Sequence, residues 1–440
     1  MPALSPDTSA VAACRAIRQR DVSVQELTSR FLAQIDAGNG TIGAVRHILH
    51  DQANDAARAM DARIQSGAPL PPLAGLPVII KENCDTIGAL CSAGLSFRAR
   101  RVASSDAAIT ARLRAAGAIV LGLSVSDPGA FGARTPQVTH PLNPALTVGG
   151  SSGGAAASLA AGFCLGAIGT DTGGSIRIPS ACCGTAGLKP SYGNLPMNGI
   201  FPLVTSLDHV GPMSRSVADL SLLWQALANK PPAPAIRLRR IGYDPAWVAS
   251  TDQPTQAAFW LGVEKLKNLG MTAVEINLPN LNDVIVMHGR IFLVEAASYH
   301  CAHHEADIGS YPTLAREWFA AARTMPVGDY VDACAKRIAM TRDIDRVLDT
   351  IDAIMTPTLC VAPPAKDAAT ISIAGVDHEF TMGLVRLTCL FNHTGHPAVS
   401  FPIGGASDKL TPSLQLVGKR RSETTILQLA HSIGECPVYP

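Results

Sequence analysis

The chain has 440 residues, 47% of them hydrophobic, which is enough to bury a large core as one big domain or two. Lys and Arg number 36 against 35 Asp and Glu, a balance that removes any general electrostatic case for nucleic acid. Eleven cysteines without regular spacing, several in apolar surroundings (Cys164, Cys182, Cys183, Cys389), argue for free thiols in a reducing compartment and against a disulfide scaffold.

The first 21 residues, MPALSPDTSAVAACRAIRQRD, lack the apolar core of a secretory signal, so the expected location is the cytoplasm. Apolar residues recur at helical spacing over 8–20 and 23–35, and Ser23 with Glu26 reads as a capping box. A short strand over 44–49 and a helix over 52–65 complete what looks like a helical cap, residues 1–65. At 71–86 the chain reads PPLAGLPVIIKENCDT, a turn and an apolar strand ending in Lys81. By itself, a lysine at a strand end is a charge returning to solvent. A helix over 106–116 and a strand over 118–123 form an α/β repeat. The basic clusters at Arg98, Arg100 and Arg101 and at Lys419 to Arg421 read as solvated loops.

Residues 149–190 stand apart, with two glycine-serine knots, Gly149 to Gly154 and Thr172 to Ser175. Between them a run of small apolar residues from Ala155 to Gly169 suits one helix and one buried strand. Residues 135–170 carry no charge, but their prolines, glycines, serines and threonines make a membrane span improbable. Glycines bracketing serines around a buried run suggest backbone brought into close approach, not a flexible linker.

The sequence GGSSGG followed by GTDTGGSIRIP and CGTAGLKP resembles the amidase signature family of serine hydrolases. Further echoes are LAGLPVIIK at 73–81, Asn143-Pro144 before the first knot, and SLDHVGP at 206–212. Two departures are visible. Glu82 stands where the family has Asp, and SVSDPGAFG at 124–132 replaces a T-N-x-x-E-F-like segment near the active-site entrance.

Amide hydrolysis needs a nucleophile, a base, a proton donor for the leaving amine and an oxyanion site. The glycines before Ser175 let backbone N–H groups converge beside its hydroxyl, which makes Ser175 the expected nucleophile and Thr172, Gly173 and Gly174 the oxyanion hole. The base comes from the resemblance, which implies a relay from Lys81 through Ser151, with a cis peptide between Gly150 and Ser151. The spacing 175 − 151 = 24 matches the family's and selects Ser151 over Ser152, which is left a supporting hydrogen-bond role. A buried lysine without a carboxylate has its pKa lowered and can accept a proton. Asp171 and Arg177 read as a supporting structural pair; a sharper reading gives Arg177 a substrate carboxylate to bind. Lys189 reads as structural.

Three rivals bear on the same residues. Gly149 to Gly153 also fits G-x-S-x-G, an α/β-hydrolase elbow with Ser151 or Ser152 as nucleophile and His393 or His396 as base, but 141–147 does not read as the required strand. The glutaminase subunit of tRNA-dependent amidotransferases shares the triad, although LPMNGI at 195–200 is not its usual continuation. A catalytically dead binding protein would retain the fold alone. No phosphate-binding loop motif is present. His300 and His304 share a helix face, but without H-E-x-x-H or a third ligand they imply no metal.

The expectation is therefore a single α/β domain over 1–440, a large mixed β-sheet surrounded by helices, with the signature core at 70–230 and a variable, mostly helical substrate side at 280–385. It would act on a small amide, with esters or carbamates as further substrates, using water and no cofactor or metal. Neither nucleic acid nor membrane is expected as a partner, and a homodimer is left open.

Overall fold

In the computed structural model, described for residues 8–229, 238–403, 410 and 412–434, short apolar runs become strands and amphipathic runs pack over them. The run KPPAPA at 230–235, whose prolines read as a surface connection, lies outside the described residues. The strands are β1 (Val45–Ile48), β2 (Pro77–Lys81), β3 (Ile119–Ser124), β4 (Gly166–Asp171), β5 (Ala186–Lys189), β6 (His209–Ser214), β7 (Arg240–Tyr243), β8 (Thr272–Glu275), β9 (Ala353–Pro357), β10 (Thr370–Ile373), β11 (Val376–Glu379), β12 (Ala398–Pro402) and β13 (Ser413–Val417). Eleven form one mixed sheet in the order β1-β3-β2-β4-β6-β5-β12-β13-β9-β7-β8, and β10 and β11 make a separate hairpin.

The central strands β2, β4, β5, β6, β9, β12 and β13 are buried along their whole length, because helices cover both faces. This is why they read as continuous apolar or small-residue runs without alternation. By contrast β8 is the half-exposed edge, with the pattern of an outer strand.

Helix starts follow the caps legible in the sequence. Ser23 and Glu26 make the reciprocal capping box that opens the helix Val24–Ile42, and Ser216 caps Val217–Ala228 through the Asp219 N–H. Within 280–385, the helices Leu281–His303, Thr313–Thr324 and Val327–Thr350 cover most of the chain up to 350, and β9, β10 and β11 follow. No helix among the described residues is long and apolar enough to cross a membrane. The ten described cysteines are all free.

What positions the site is the parallel pairing of β2 with β4, which places Val78 opposite Gly166 and Ile80 opposite Ile168. Both strands run in the same direction, so Lys81 and Asp171 leave the sheet at one edge. In open α/β sheets the carboxyl edge of parallel strands is where binding sites form.

Candidate active site

Lys81 is completely buried. Its Nζ donates to Ser151 Oγ at 2.7 Å and to Thr170 Oγ1 at 2.8 Å. Asn83 Nδ2 donates to the same Thr170 hydroxyl at 3.1 Å. Among the described residues no carboxylate lies within ion-pair distance of Lys81. Burial therefore pulls its pKa down, to about 8, against weaker upward pulls from Cys84, Asp127, Asp171 and Asp208.

The two knots meet through Ser152. Its N–H donates to the Ser175 carbonyl at 3.2 Å, its hydroxyl donates to the Thr170 carbonyl at 3.1 Å, and it accepts from the Thr170 N–H at 3.3 Å. The Gly150–Ser151 peptide is cis. Ser151 is also fixed from behind, where its carbonyl accepts the Asp127 N–H at 3.0 Å.

Ser175 follows Gly174, whose φ of +140° only glycine adopts without strain. A Cβ there would also stand 2.3 Å from Thr388 Oγ1. Among the described residues nothing accepts from the N–H groups of Gly173, Gly174 or Ser175. Buried backbone donors are rarely left without a partner, which sets these three apart. Asp208, of the SLDHVGP segment, holds it from below: Oδ1 accepts from Thr172 Oγ1 at 2.5 Å, and Oδ2 from the N–H groups of Leu203 and Val204.

Thr172, Gly173 and Ser175 open on a narrow pocket of about 20 Å³, room for one water molecule. The walls come from 130–133, Leu203, His288, Phe292, Trp318, Thr381, Met382 and Val385, so the divergent segment at 124–132 and the variable side at 280–385 both contribute. No charged side chain lines it. A wider cleft of about 690 Å³, between the helices Ala10–Gln19 and Val217–Ala228, shares no residue with this site.

Asp171 and Arg177 are fully buried and form a two-pronged pair, Nε to Oδ2 at 3.0 Å and Nη2 to Oδ1 at 2.9 Å. Arg177 also donates to the Thr388 carbonyl, Gln415 Oε1 and Asn392 Oδ1. Burial would raise the Asp171 pKa, but Arg177 outweighs it and holds the carboxyl well below the usual carboxylate range. Arg177 does not line the pocket and has no donor free for a substrate carboxylate, so the sharper reading of this residue is withdrawn. Arg177→Ala leaves Asp171 buried without its cation, which should cost about 3–5 kcal/mol in denaturant unfolding. A loss under about 1 kcal/mol would mean that the pair holds little together.

Glu82 is also accounted for. Its carboxylate accepts the Ser126 N–H at 2.9 Å and the Ser92 hydroxyl, with Arg46 3.8 Å away. It thereby ties the loop after β3 to the segment after β2. Lys189 is spent on the carbonyls of Pro190 and His396.

The elbow arrangement is not what the chain builds. Among the described residues no strand lies between β3 and the first knot, Ser151 bonds Lys81, and Ser152 bonds Thr170. His393 pairs with His288, and His396 with Asp345. His300 Nδ1 meets the Tyr311 hydroxyl at 3.0 Å, and the described residues contain no group of three side chains suited to a metal ion.

A family model described as Amidase matches residues 26–427. The chain belongs to the amidase family. It is 31% identical to the putative amidase AmiD of Mycobacterium tuberculosis over 96% of this chain and 93% of that one. It is 33% identical to the A subunit of the glutamyl-tRNA(Gln) amidotransferase of a Synechococcus strain, covering 94% of each. A solved structure, described as an unexpected vestigial protein complex that reveals the origins of an s-triazine catabolic enzyme, superposes with a TM-score of 0.90 at 27% identity. That match covers 98% of this chain and all of that one. The amidase fold and amide hydrolysis as the general activity follow from this membership. Sequence reasoning gave no role to Thr170, Asn83, Asp208, Asn392 or His288 within the amidase site, although Thr170, Asn83 and Asp208 lay in segments already singled out.

Proposed function

We propose that this amidase cleaves the C–N bond of a small carboxylic amide through an acyl-enzyme on Ser175, with Lys81 and Ser151 as proton relay. The observation that carries the reading is the 2.7 Å contact between Lys81 Nζ and Ser151 Oγ, buried and without a carboxylate partner. Near neutral pH a pKa of about 8 leaves a useful fraction of the amine neutral.

Ser175 Oγ attacks the amide carbon while its proton passes to Ser151, whose own proton passes to Lys81. The carbonyl oxygen becomes an oxyanion facing the unpaired N–H groups of the 172–175 turn. As the C–N bond breaks, the proton returns through Ser151 to the leaving nitrogen, and the amine departs. Water then attacks the acyl carbon, giving its proton to the same relay, which passes it to Ser175 Oγ as the acid leaves. Ser152 and the Asp171–Arg177 pair keep the two knots in register.

The test is fluorophosphonate labelling with peptide mapping. The tag should fall on Ser175, and its rate should rise with pH through about 8, because below that pH the ammonium cannot accept a proton. A tag on Ser151 or Ser152, or a rate flat in pH, overturns the mechanism. The 33% identity to an amidotransferase component supports a second reading, a glutaminase that works within an assembly. Glutamine turnover only after a partner protein is added would favour it.

A further inference from the structure

The loop that follows β3 carries a carboxylate that the relay does not use. Asp127 touches the site at two points. Its N–H donates to the Ser151 carbonyl at 3.0 Å, and its Oδ2 accepts the Gly132 N–H at 2.6 Å. Gly132 belongs to the pocket wall that Ser175 also lines. A Cβ built on Gly132 would stand 3.0 Å from Asp127 Oδ1, so the carboxylate lies directly against that wall. One residue thus ties the middle serine of the relay to the wall of the pocket.

Asp127 is 9% exposed, and among the described residues it has no cation within ion-pair distance. Few charged groups face it. Lys81, at the end of β2, and Arg134, from the same stretch of chain, both favour its anion. Arg134 is otherwise engaged by the carbonyls of Lys366 and Ala368 and by the face of the Phe380 ring. Glu82 is held by Ser92 and Ser126, with Arg46 nearby, and the first knot brings no charge. Burial outweighs the Gly132 N–H and both cations, and lifts the Asp127 carboxyl to about 7.

The influence is mutual. After burial and Cys84, Asp127 is the next influence on Lys81, and the largest from a carboxylate. Asp171 already has its charge met by Arg177, and Asp208 is taken up by Thr172, Leu203 and Val204. When the relay delivers its proton, a neutral amine becomes an ammonium in a fully enclosed position. An anion fixed nearby acts most strongly at that moment, when the charge develops.

Resting on the reading of Lys81 and Ser151 as the relay, we propose that Asp127 is a positioning residue of that relay: ionised, it steadies the ammonium that forms on Lys81 and keeps Ser151 in register with the pocket wall. The relay then needs two groups free of their protons, the lysine and this carboxyl. Its acid limb falls with two protons, not one.

The readout is the rate at which the fluorophosphonate labels Ser175 in the full chain, followed from about pH 5.5 to about 9.5. With groups at about 8 and about 7, the rate should drop about 50-fold between pH 7 and pH 6. Asp127→Asn keeps the size and an oxygen for the Gly132 N–H but cannot titrate. Its drop over the same unit should be under about tenfold. Its midpoint should also move to lower pH, because the anion that raised Lys81 is gone. A one-proton limb in the unmodified protein, or an unchanged limb and midpoint in Asp127→Asn, overturns the assignment. So does a ¹³C titration in which the Asp127 carboxyl ionises near its ordinary value of about 4, a measurement that needs no variant to fold. A rate flat in pH, or label on a residue other than Ser175, would instead mean that the relay reading itself has failed.

Discussion

Ser175→Ala should lower kcat on small amides by about 10⁴-fold or more, because the covalent step disappears while the pocket and the turn remain. The unfolding midpoint should barely move. The Ser175 side chain is 8% exposed and reaches the pocket, and among the described residues no hydrogen bond engages its hydroxyl. Turnover within tenfold of the unmodified enzyme would remove Ser175 from the chemistry. A large fall in stability would turn the lost activity into a folding effect.

Lys81→Met should cost about 10³-fold or more in kcat, and its effect on stability should be smaller than that of most buried substitutions. The lysine is fully enclosed, and holding an ammonium there is unfavourable; a methionine of similar length avoids that cost. Against this stands the loss of two hydrogen bonds, to Ser151 and Thr170, of which Thr170 keeps Asn83. The balance should leave denaturant stability within about 2 kcal/mol of the starting value, or higher. Because the two residues act in one relay, the Ser175→Ala, Lys81→Met double variant should be scarcely slower than Ser175→Ala alone. Additive losses would separate Lys81 from the path of the Ser175 proton.

The parts of this molecule legible in its sequence are those whose cause is local. The strand ending in Lys81, the helix and strand between the knots, and the Ser23–Glu26 box each follow from residues within a few positions of one another. Most boundaries shifted by one or two residues, as where the strand expected at 118–123 is Ile119–Ser124, but the helix expected at 23–35 runs on to Ile42. The short strands β5 and β6 carry no alternation, since both of their faces are covered, and could not be told from loop. Thr170 looks like any strand threonine until the parallel register of β2 and β4 sets it against Lys81. Asn392 and Gln415 reach Arg177 across 215 and 238 residues of chain, and no pattern in either neighbourhood announces them. His288 is one apolar-face histidine among several until the fold places it against Gly173.

The order of strands has a consequence for how the protein comes into being. β12 and β13, drawn from residues 398–417, sit between β5 and β9 in the middle of the sheet. Until that late segment emerges from the ribosome, the edge of β5 stays open and Arg177 lacks Gln415 and Asn392. Synthesis therefore holds a long, apolar nascent chain with an unpaired central edge, a state prone to wrong pairings. A cut between β6 and β7 would leave six neighbouring strands in one half and five in the other, joined in the whole chain only by the pairing of β5 with β12. The Asp171–Arg177 pair gains its full set of partners only once Asn392 and Gln415 have been made.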